Sequence, residues 1–373
     1  MRSVAGISCV PPMKHLFKTM LTLPPLTGAT VRGGLGLLAL LAGELRGQTG
    51  SAPVGVMSYA AAEHSTISLG VPLLRPAVLT GKVSAVTGAK VTLTVPAAGS
   101  VLPLAAGESY FLEVIGHVDG VTTTLVGQRF EVDEAGTLAD AGGALSVDTT
   151  SPHNTAAAST LAGLVNYRVS VRPHWTLATL LGTGARAKVN AAVSAASADQ
   201  VLAWNGVGFS VYYVRSGEVP QWRNTATGAA SQDGAILPPG VGLFLRRQAG
   251  ALAFAVPGEV RTTAFVRPPF SGSQIIAGGF PVDASPADLK LAASAGLTAG
   301  TAPSNADQLL AWDATAFSVY YLRAGQVPQW RNVATGLLDH STTAILPDRG
   351  ASLLLLRAPV AGAVLPQMAP FSL

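Results

Sequence analysis

Short apolar runs rich in Val, Ile, Leu, Tyr and Phe, each cut off by Gly, Pro, Asn or Asp, recur along most of the chain. Such runs predict strands rather than helices, because β-branched and aromatic residues suit a pleated surface and the breakers suit turns. Residues 54–59 and 66–71 read as core strands. Residues 79–86 and 90–95 form a hairpin across Thr87-Gly88-Ala89, where Gly takes a positive φ cheaply. A second pair, 108–117 and 121–132, is expected across Asp119-Gly120, and four or more consecutive antiparallel strands suggest a small barrel or a curled sheet. Residues 149–163 (TTSPHNTAAASTLAG) read as a low-complexity loop, 167–175 as a strand, and 176–181 as one or two helical turns.

Farther on, one stretch occurs twice. ADQVLAWNGVGFSVYYVRSGEVPQWRNTATG begins at Ala198 and ADQLLAWDATAFSVYYLRAGQVPQWRNVATG at Ala306. The offset is 108 residues at Trp204/Trp312 and grows to 110 at Gly240/Gly350, with the slips at Gly- and Pro-rich turns. In the first copy Phe209, Val211 and Tyr213 alternate with Ser210, Tyr212 and Val214, so both faces of that strand are largely apolar and it belongs in the middle of a domain. Ser216-Gly217 turns it into residues 219–223, and residues 241–247 are expected to pair with 251–256 across Gln248-Ala249-Gly250, giving a meander of four to five strands per copy.

The segment Ile67-Ser68-Leu69-Gly70-Val71-Pro72 resembles Ile276-Ala277-Gly278-Gly279-Phe280-Pro281, yet lies much farther upstream of its copy. An inserted domain accounts for the difference. The expected organisation is a leader (1–48), the first strands of copy one (49–77), an inserted barrel-like domain (78–170), the remainder of copy one (171–262) and copy two (263–373). The fold class is all-β: two copies of a meander or sandwich-like domain, with a small β-barrel-like domain inserted in or preceding the first.

The leader changes the reading of the charge. Arg2, Lys14, Lys18 and Arg32 precede the apolar run at 33–43, which fits an export signal and is too short to span a bilayer. Cleavage is placed near Gln48. The formal net charge of +4 comes from this segment: it takes five of the 24 Lys and Arg and one of the 20 Asp and Glu, leaving 19 of each sign. A neutral remainder with no basic cluster beyond Arg246-Arg247 argues against nucleic acid. Cys9, the single cysteine, also lies in the leader, so the exported part has no disulfide, thiolate nucleophile or Cys-based zinc site. Residues 361–373 carry neither a basic tail nor a membrane span, and no transmembrane span is expected in the exported part. The short, Gly-broken strands do not fit an outer-membrane barrel.

The leader, the start Pro53-Val54-Gly55-Val56-Met57-Ser58-Tyr59, the stretch ISLGVPLLRPAVLTGKV and the paired YY…W…ILPxG elements together resemble a family of uncharacterised exported proteins best known from verrucomicrobial bacteria. The resemblance covers nearly all of the chain after the leader. It implies export and β-structure, with no established activity.

Candidate chemistry is sparse. The duplicated set Trp204, Tyr212, Trp222 and Arg223, with Trp312, Tyr320, Trp330 and Arg331, offers stacking surfaces and a polar grip for a saccharide, but core packing is the plainer role for the rings. For Arg223-Asn224 and Arg331-Asn332, the plainer role is an Arg on a Trp with Asn opening a turn. His64, His117, His153, His174 and His340 show no paired-His spacing, so no metal is expected, and most of them read as surface or hydrogen-bonded loop residues. Asp199 and Asp307, matched across copies, read as turn caps, and Asp233 is matched loosely with Asp339. There is no GxSxG elbow and no phosphate loop. The expectation is an exported, non-catalytic structural, adhesive or scaffold protein, without cofactor, in the periplasm, at the cell surface or outside the cell. Its candidate partners are envelope polysaccharide or other surface proteins. The alternative is a carbohydrate-binding protein using the paired aromatics.

Overall fold

The computed structural model describes residues 53–94, 102–121, 123–138, 144–205, 208–228, 231–267, 272–336, 338–345 and 351–358. The leader with its cleavage point, the turn at 346–348 and the tail at 361–373 lie outside these residues. In chain order the strands are β1 (Val54–Ala61), β2 (Thr66–Gly70), β3 (Leu79–Thr87), β4 (Lys90–Thr94), β5 (Tyr110–His117), β6 (Arg129–Glu131), β7 (Leu145–Ser146), β8 (Tyr167–Pro173), β9 (Trp175–Thr176) and β10 (Gln200–Trp204). They continue as β11 (Phe209–Arg215), β12 (Gln221–Asn224), β13 (Ile236–Leu237), β14 (Gly242–Arg246), β15 (Leu252–Glu259), β16 (Gln274–Ala277), β17 (Gln308–Trp312), β18 (Phe317–Arg323), β19 (Gln329–Asn332) and β20 (Ser352–Leu356). The helices among the described residues are short, such as Leu177–Leu181, and the chain is all-β. Among the described residues no helix is long and apolar enough to cross a membrane.

Strands β3 to β8 build a six-stranded antiparallel sheet in the order β6-β5-β8-β3-β4-β7. Register shifts at Val83/Ala85 and Val114/Gly116 curl it, as bulges do. The curl brings the two ends together: Val132 bridges Val147, Asp133 N donates to Ser146 O (2.9 Å) and Asp148 N to Glu131 O (2.9 Å). Val83, Val91, Leu112, Leu145, Leu164 and Val169 fill the interior. The Asp119-Gly120 turn forms, with Gly120 at φ 72. The strand expected after it does not continue from 121, because turns occupy 124–127 and only Arg129–Glu131 pairs with β5. Nor is 149–163 a plain loop. Asn154 Oδ1 accepts from Glu131 N (2.7 Å), Thr155 Oγ1 accepts from Arg129 N (2.7 Å), and residues 158–164 form a 3-10 helix. Its Ser and Thr content reflects backbone groups to be bonded.

The two repeats make two five-stranded sheets of identical order, β12-β11-β10-β14-β2 and β19-β18-β17-β20-β16. Pairing of Gly242 with Gly70 and of Ser352 with Ala277 sets Gly70 opposite the same partner position as Ala277. The match expected from sequence, Ile67 with Ile276, is therefore two residues out of register. A two-residue slip preserves the facing of every side chain, which is why the pattern did not betray it. The simple meander is also corrected. The chain leaves β12, returns beside β10 as β14, and β15 pairs with β1 instead of β14. Both edges of β14 are already taken by β10 and β2, so the next strand has no free ladder there.

The sheets pack face to face. Leu202, Phe244, Ile275 and Leu354 form the seam, with Trp204, Phe209, Trp312 and Phe317 packed around them. Each sheet's other face carries its own core, around Leu69, Val201, Val214, Trp222 and Leu245 in one copy and Ile276, Leu309, Leu322, Trp330 and Leu355 in the other. This accounts for strands apolar on both sides, and each such buried Leu or Val contributes on the order of 1.5–3 kcal/mol. The seam is tightest at the Gly70–Gly242 pair, where a Cβ on Gly242 would lie 2.2 Å from Ser352 Cβ and one on Gly70 2.3 Å from Ala277 Cβ. Gly242→Ala is expected to cost about 1–3 kcal/mol by overpacking, read as a lower urea midpoint with an unchanged m value.

Candidate functional site

The duplicated aromatic residues are placed by strand alternation. Trp222 pairs with Val214 and Trp330 with Leu322, so both indoles point away from the seam into their own copy's core, where they are 0% and 1% exposed. Each Nε1 donates to a carbonyl in the preceding segment, Trp222 to Gly182 O (2.8 Å) and Trp330 to Leu291 O (2.7 Å). Neither ring has a face open to a ligand. Arg223 and Arg331 reach along their own strands to Gln221 Oε1 (3.2 Å) and Gln329 Oε1 (2.8 Å), and Asn224 and Asn332 open turns by accepting from Ala226 N and Ala334 N. Trp204 and Trp312 flank the seam. Trp312 Nε1 donates to Thr66 O (2.6 Å), whereas Trp204 Nε1 is buried with no partner among the described residues. Tyr212 is half-buried against the first core and Tyr320 against the second.

Asp199 and Asp307 do more than cap turns. Both are fully buried, and their carboxylates join three chain segments. Asp199 accepts from Asn190 N (2.6 Å) and Gln248 N (2.7 Å) and pairs with Arg247. Asp307 accepts from Thr298 N (2.9 Å) and Ala358 N (2.5 Å) and pairs with Arg357. Arg247 is thus buried rather than part of a basic surface. Asp233 accepts from Trp222 N (2.9 Å), and in the second copy that role falls to Ser341 Oγ (3.0 Å from Trp330 N), not to Asp339. Upstream, Thr176/Thr179 and Ser285/Asp288 make matching caps, so the likeness of the copies begins well before Ala198.

A cluster missed by the sequence reading lies between the six-stranded sheet and the segment after β15. Glu113, 1% exposed, pairs with Arg261 and lies 3.7 Å from Arg172, which also pairs with Glu259. Arg129, Arg261 and Arg267 surround Phe265, with guanidinium centres 5.1, 5.1 and 5.0 Å from the ring centroid. Arg129 also donates to Pro239 O (3.1 Å) and Val266 O (2.9 Å), and Arg267 to Ala277 O (2.7 Å). Burial pushes all three down to about 10, with Arg129 adding to the effect at Arg267, and they stay charged at neutral pH. Glu131 holds His174 at 2.6 Å, so this histidine is core, unlike the surface or loop placement expected for most of the histidines. The available signal was a charge inside an apolar strand, YFLEVIGH.

The cluster is closed, whereas one cleft is open. It has a volume of about 350 Å³ and lies where β2 of the first copy meets the β17–β18 hairpin of the second. Ile67, Ser68, Trp312, Asp313, Ser318 and Tyr320 are among the residues that line it, and among the described residues the lining holds no Lys, Arg or His. Asp313 Oδ1 accepts from Thr315 N (2.9 Å), Thr315 Oγ1 (2.7 Å) and Ala316 N (2.7 Å), and these bonds, the one from Ala316 first, hold its carboxyl below the usual range. No set of three metal-ligating side chains converges among the described residues. Comparison with family models, with curated proteins and with solved structures finds no match.

Proposed function

We propose that the chain is an exported, non-catalytic structural or adhesive protein of the cell envelope. What carries this reading is the use made of its chemistry-bearing side chains. Asp199, Asp307, Glu113, Arg129, Arg247, Arg261, Trp222 and Trp330 are buried and bonded within the chain, so they hold the architecture and meet no substrate. The same reading takes the chain as two copies of one unit, the first interrupted after Gly70. Between the paired strand and the cap at Thr176 or Ser285 lie residues 71–175 in one copy and 278–284 in the other, and the six-stranded sheet falls within the longer interval. Envelope polysaccharide or another surface protein is the proposed partner, and the likeness to verrucomicrobial exported proteins remains part of the proposal.

Fractionation of the source cells with an antibody to the chain tests the reading. The protein is expected in the envelope or medium with its first residue near Gln48 or Thr49 by amino-terminal sequencing. Recovery from the cytosol with residues 1–48 attached overturns it.

A further inference from the structure

We propose that the first repeat sheet, on its seam side and beyond the seam itself, binds an acidic polysaccharide whose sugars carry carboxylates. The partner's class rests on the envelope reading, and its charge follows from the sheet. Strand register builds the surface. Arg246 lies opposite Gln200, Gln200 opposite Tyr213 and Tyr213 opposite Arg223, so one row of side chains crosses β14, β10, β11 and β12 on a single face. Arg215 and Gln221 form the next pair on that face. Val201, Val214, Trp222 and Leu245 fill the core on the opposite side, and Leu202 and Phe244 mark where the seam ends and this row begins. Tyr213 belongs to neither cluster and is half-buried, while Arg215 is exposed.

Three arginines scattered in sequence thus share one surface, and no Asp or Glu occupies a strand position on it. Glu218, on the turn between β11 and β12, is the acidic residue nearest Arg215 in sequence, yet neither Arg215 nor Arg246 forms an ion pair among the described residues. Asp199 is taken by Arg247 on the core side. Cations gathered without carboxylates leave a positive field that an anionic partner complements. Arg246 and Arg223 stand three strands apart, roughly 14 Å at the usual spacing between strands, a span that suits a polymer better than a single sugar. Guanidinium forks match carboxylates, and the Tyr213 ring beside Arg215 and Arg223 adds apolar surface for a sugar's C–H face. Gln221 Oε1 accepts from Arg223 (3.2 Å), which steadies that guanidinium on the face. A nucleic acid is disfavoured, because three cations neutralise few phosphates and one ring gives no series of stacking platforms.

The second copy lacks the full set. Leu356 stands opposite Gln308 where Arg246 stands opposite Gln200, and it packs at the seam. Tyr321, the counterpart of Tyr213, is 8% exposed, so Arg323 and Arg331 flank a covered ring. The site is therefore assigned to the first copy.

Biolayer interferometry of the full chain on immobilised polygalacturonate tests the face. Saturable binding is expected at low salt, weakening as sodium chloride is raised. Arg215→Gln and Arg246→Leu, the latter installing the second copy's residue, are each expected to weaken it about tenfold through loss of one charge-assisted contact. Arg323→Gln, the matched change in the second copy, leaves it unchanged. Thermal unfolding confirms that the variants fold, and because Arg215 is exposed its variant keeps the test decisive if Arg246→Leu does not. Absence of saturable binding at low salt overturns the proposal, as do full affinity in Arg215→Gln, equal weakening by Arg323→Gln, equal affinity for uncharged dextran, or tighter binding to single-stranded DNA. An envelope protein that ignores polygalacturonate removes this partner and leaves the location intact, whereas recovery from the cytosol removes the envelope reading itself.

Discussion

Glu113→Ala is expected to destabilise the protein by about 3–5 kcal/mol, the cost of removing one partner from a buried ion pair. Glu113 sits in the middle of β5, faces the segment after β15, and is the carboxylate shared by Arg261 and Arg172. Arg172 retains Glu259, but Arg261 has no second carboxylate among the described residues, and its side chain is 1% exposed. Removing the carboxylate leaves that charge buried beside Arg129 and Arg267 around Phe265, three cations against one ring. Urea unfolding followed by circular dichroism reads the effect. Because the penalty arises from the stranded cation rather than from lost attraction, the double variant Glu113→Leu with Arg261→Met is expected to recover most of it. A single variant within about 0.5 kcal/mol of the parent protein would show that water reaches Arg261.

Asp199→Ala is the second, and comparison with Asp307→Ala gives it discrimination. Each carboxylate is fully buried, accepts two backbone N–H groups and pairs with one arginine, so each loss strands two donors and a cation. The arginines differ: the Arg247 side chain is 4% exposed and that of Arg357 19%. Asp199→Ala is accordingly expected to cost about 3–5 kcal/mol and Asp307→Ala measurably less, since water can solvate part of Arg357. The two urea midpoints, measured side by side, check the order. Equal losses would mean that the backbone donors dominate and the arginines add little.

Both of these positions bear on how far the sequence could be read. The duplication located Asp199 and Asp307 but assigned them to turns, because spacing along the chain carries no information about which distant arginine closes on a carboxylate. Glu113 stood out as a charge within an apolar strand, yet its partner Arg261 lies 148 positions away and no local pattern connects them. The same limit applied to the cleft. Repetition singles out Trp312 and Tyr320, and Asp313 and Ser318 lie on the same hairpin, but Ile67 and Ser68 join them only because β2, from the far side of the intervening six-stranded sheet in sequence, comes to lie against the β17–β18 hairpin.

What the sequence by itself determined was local in origin. Alternation and breakers set the strands, a repeated text predicted two sheets of one design, and strands apolar on both faces announced that each sheet would be covered twice. The tertiary structure decided which rings are walled in, which carboxylates are pinned, and that β15 turns away from β14 to join β1. Those outcomes depend on long-range pairing and on which polar groups lose their water, and such contacts are set by the folded arrangement of segments far apart in the chain.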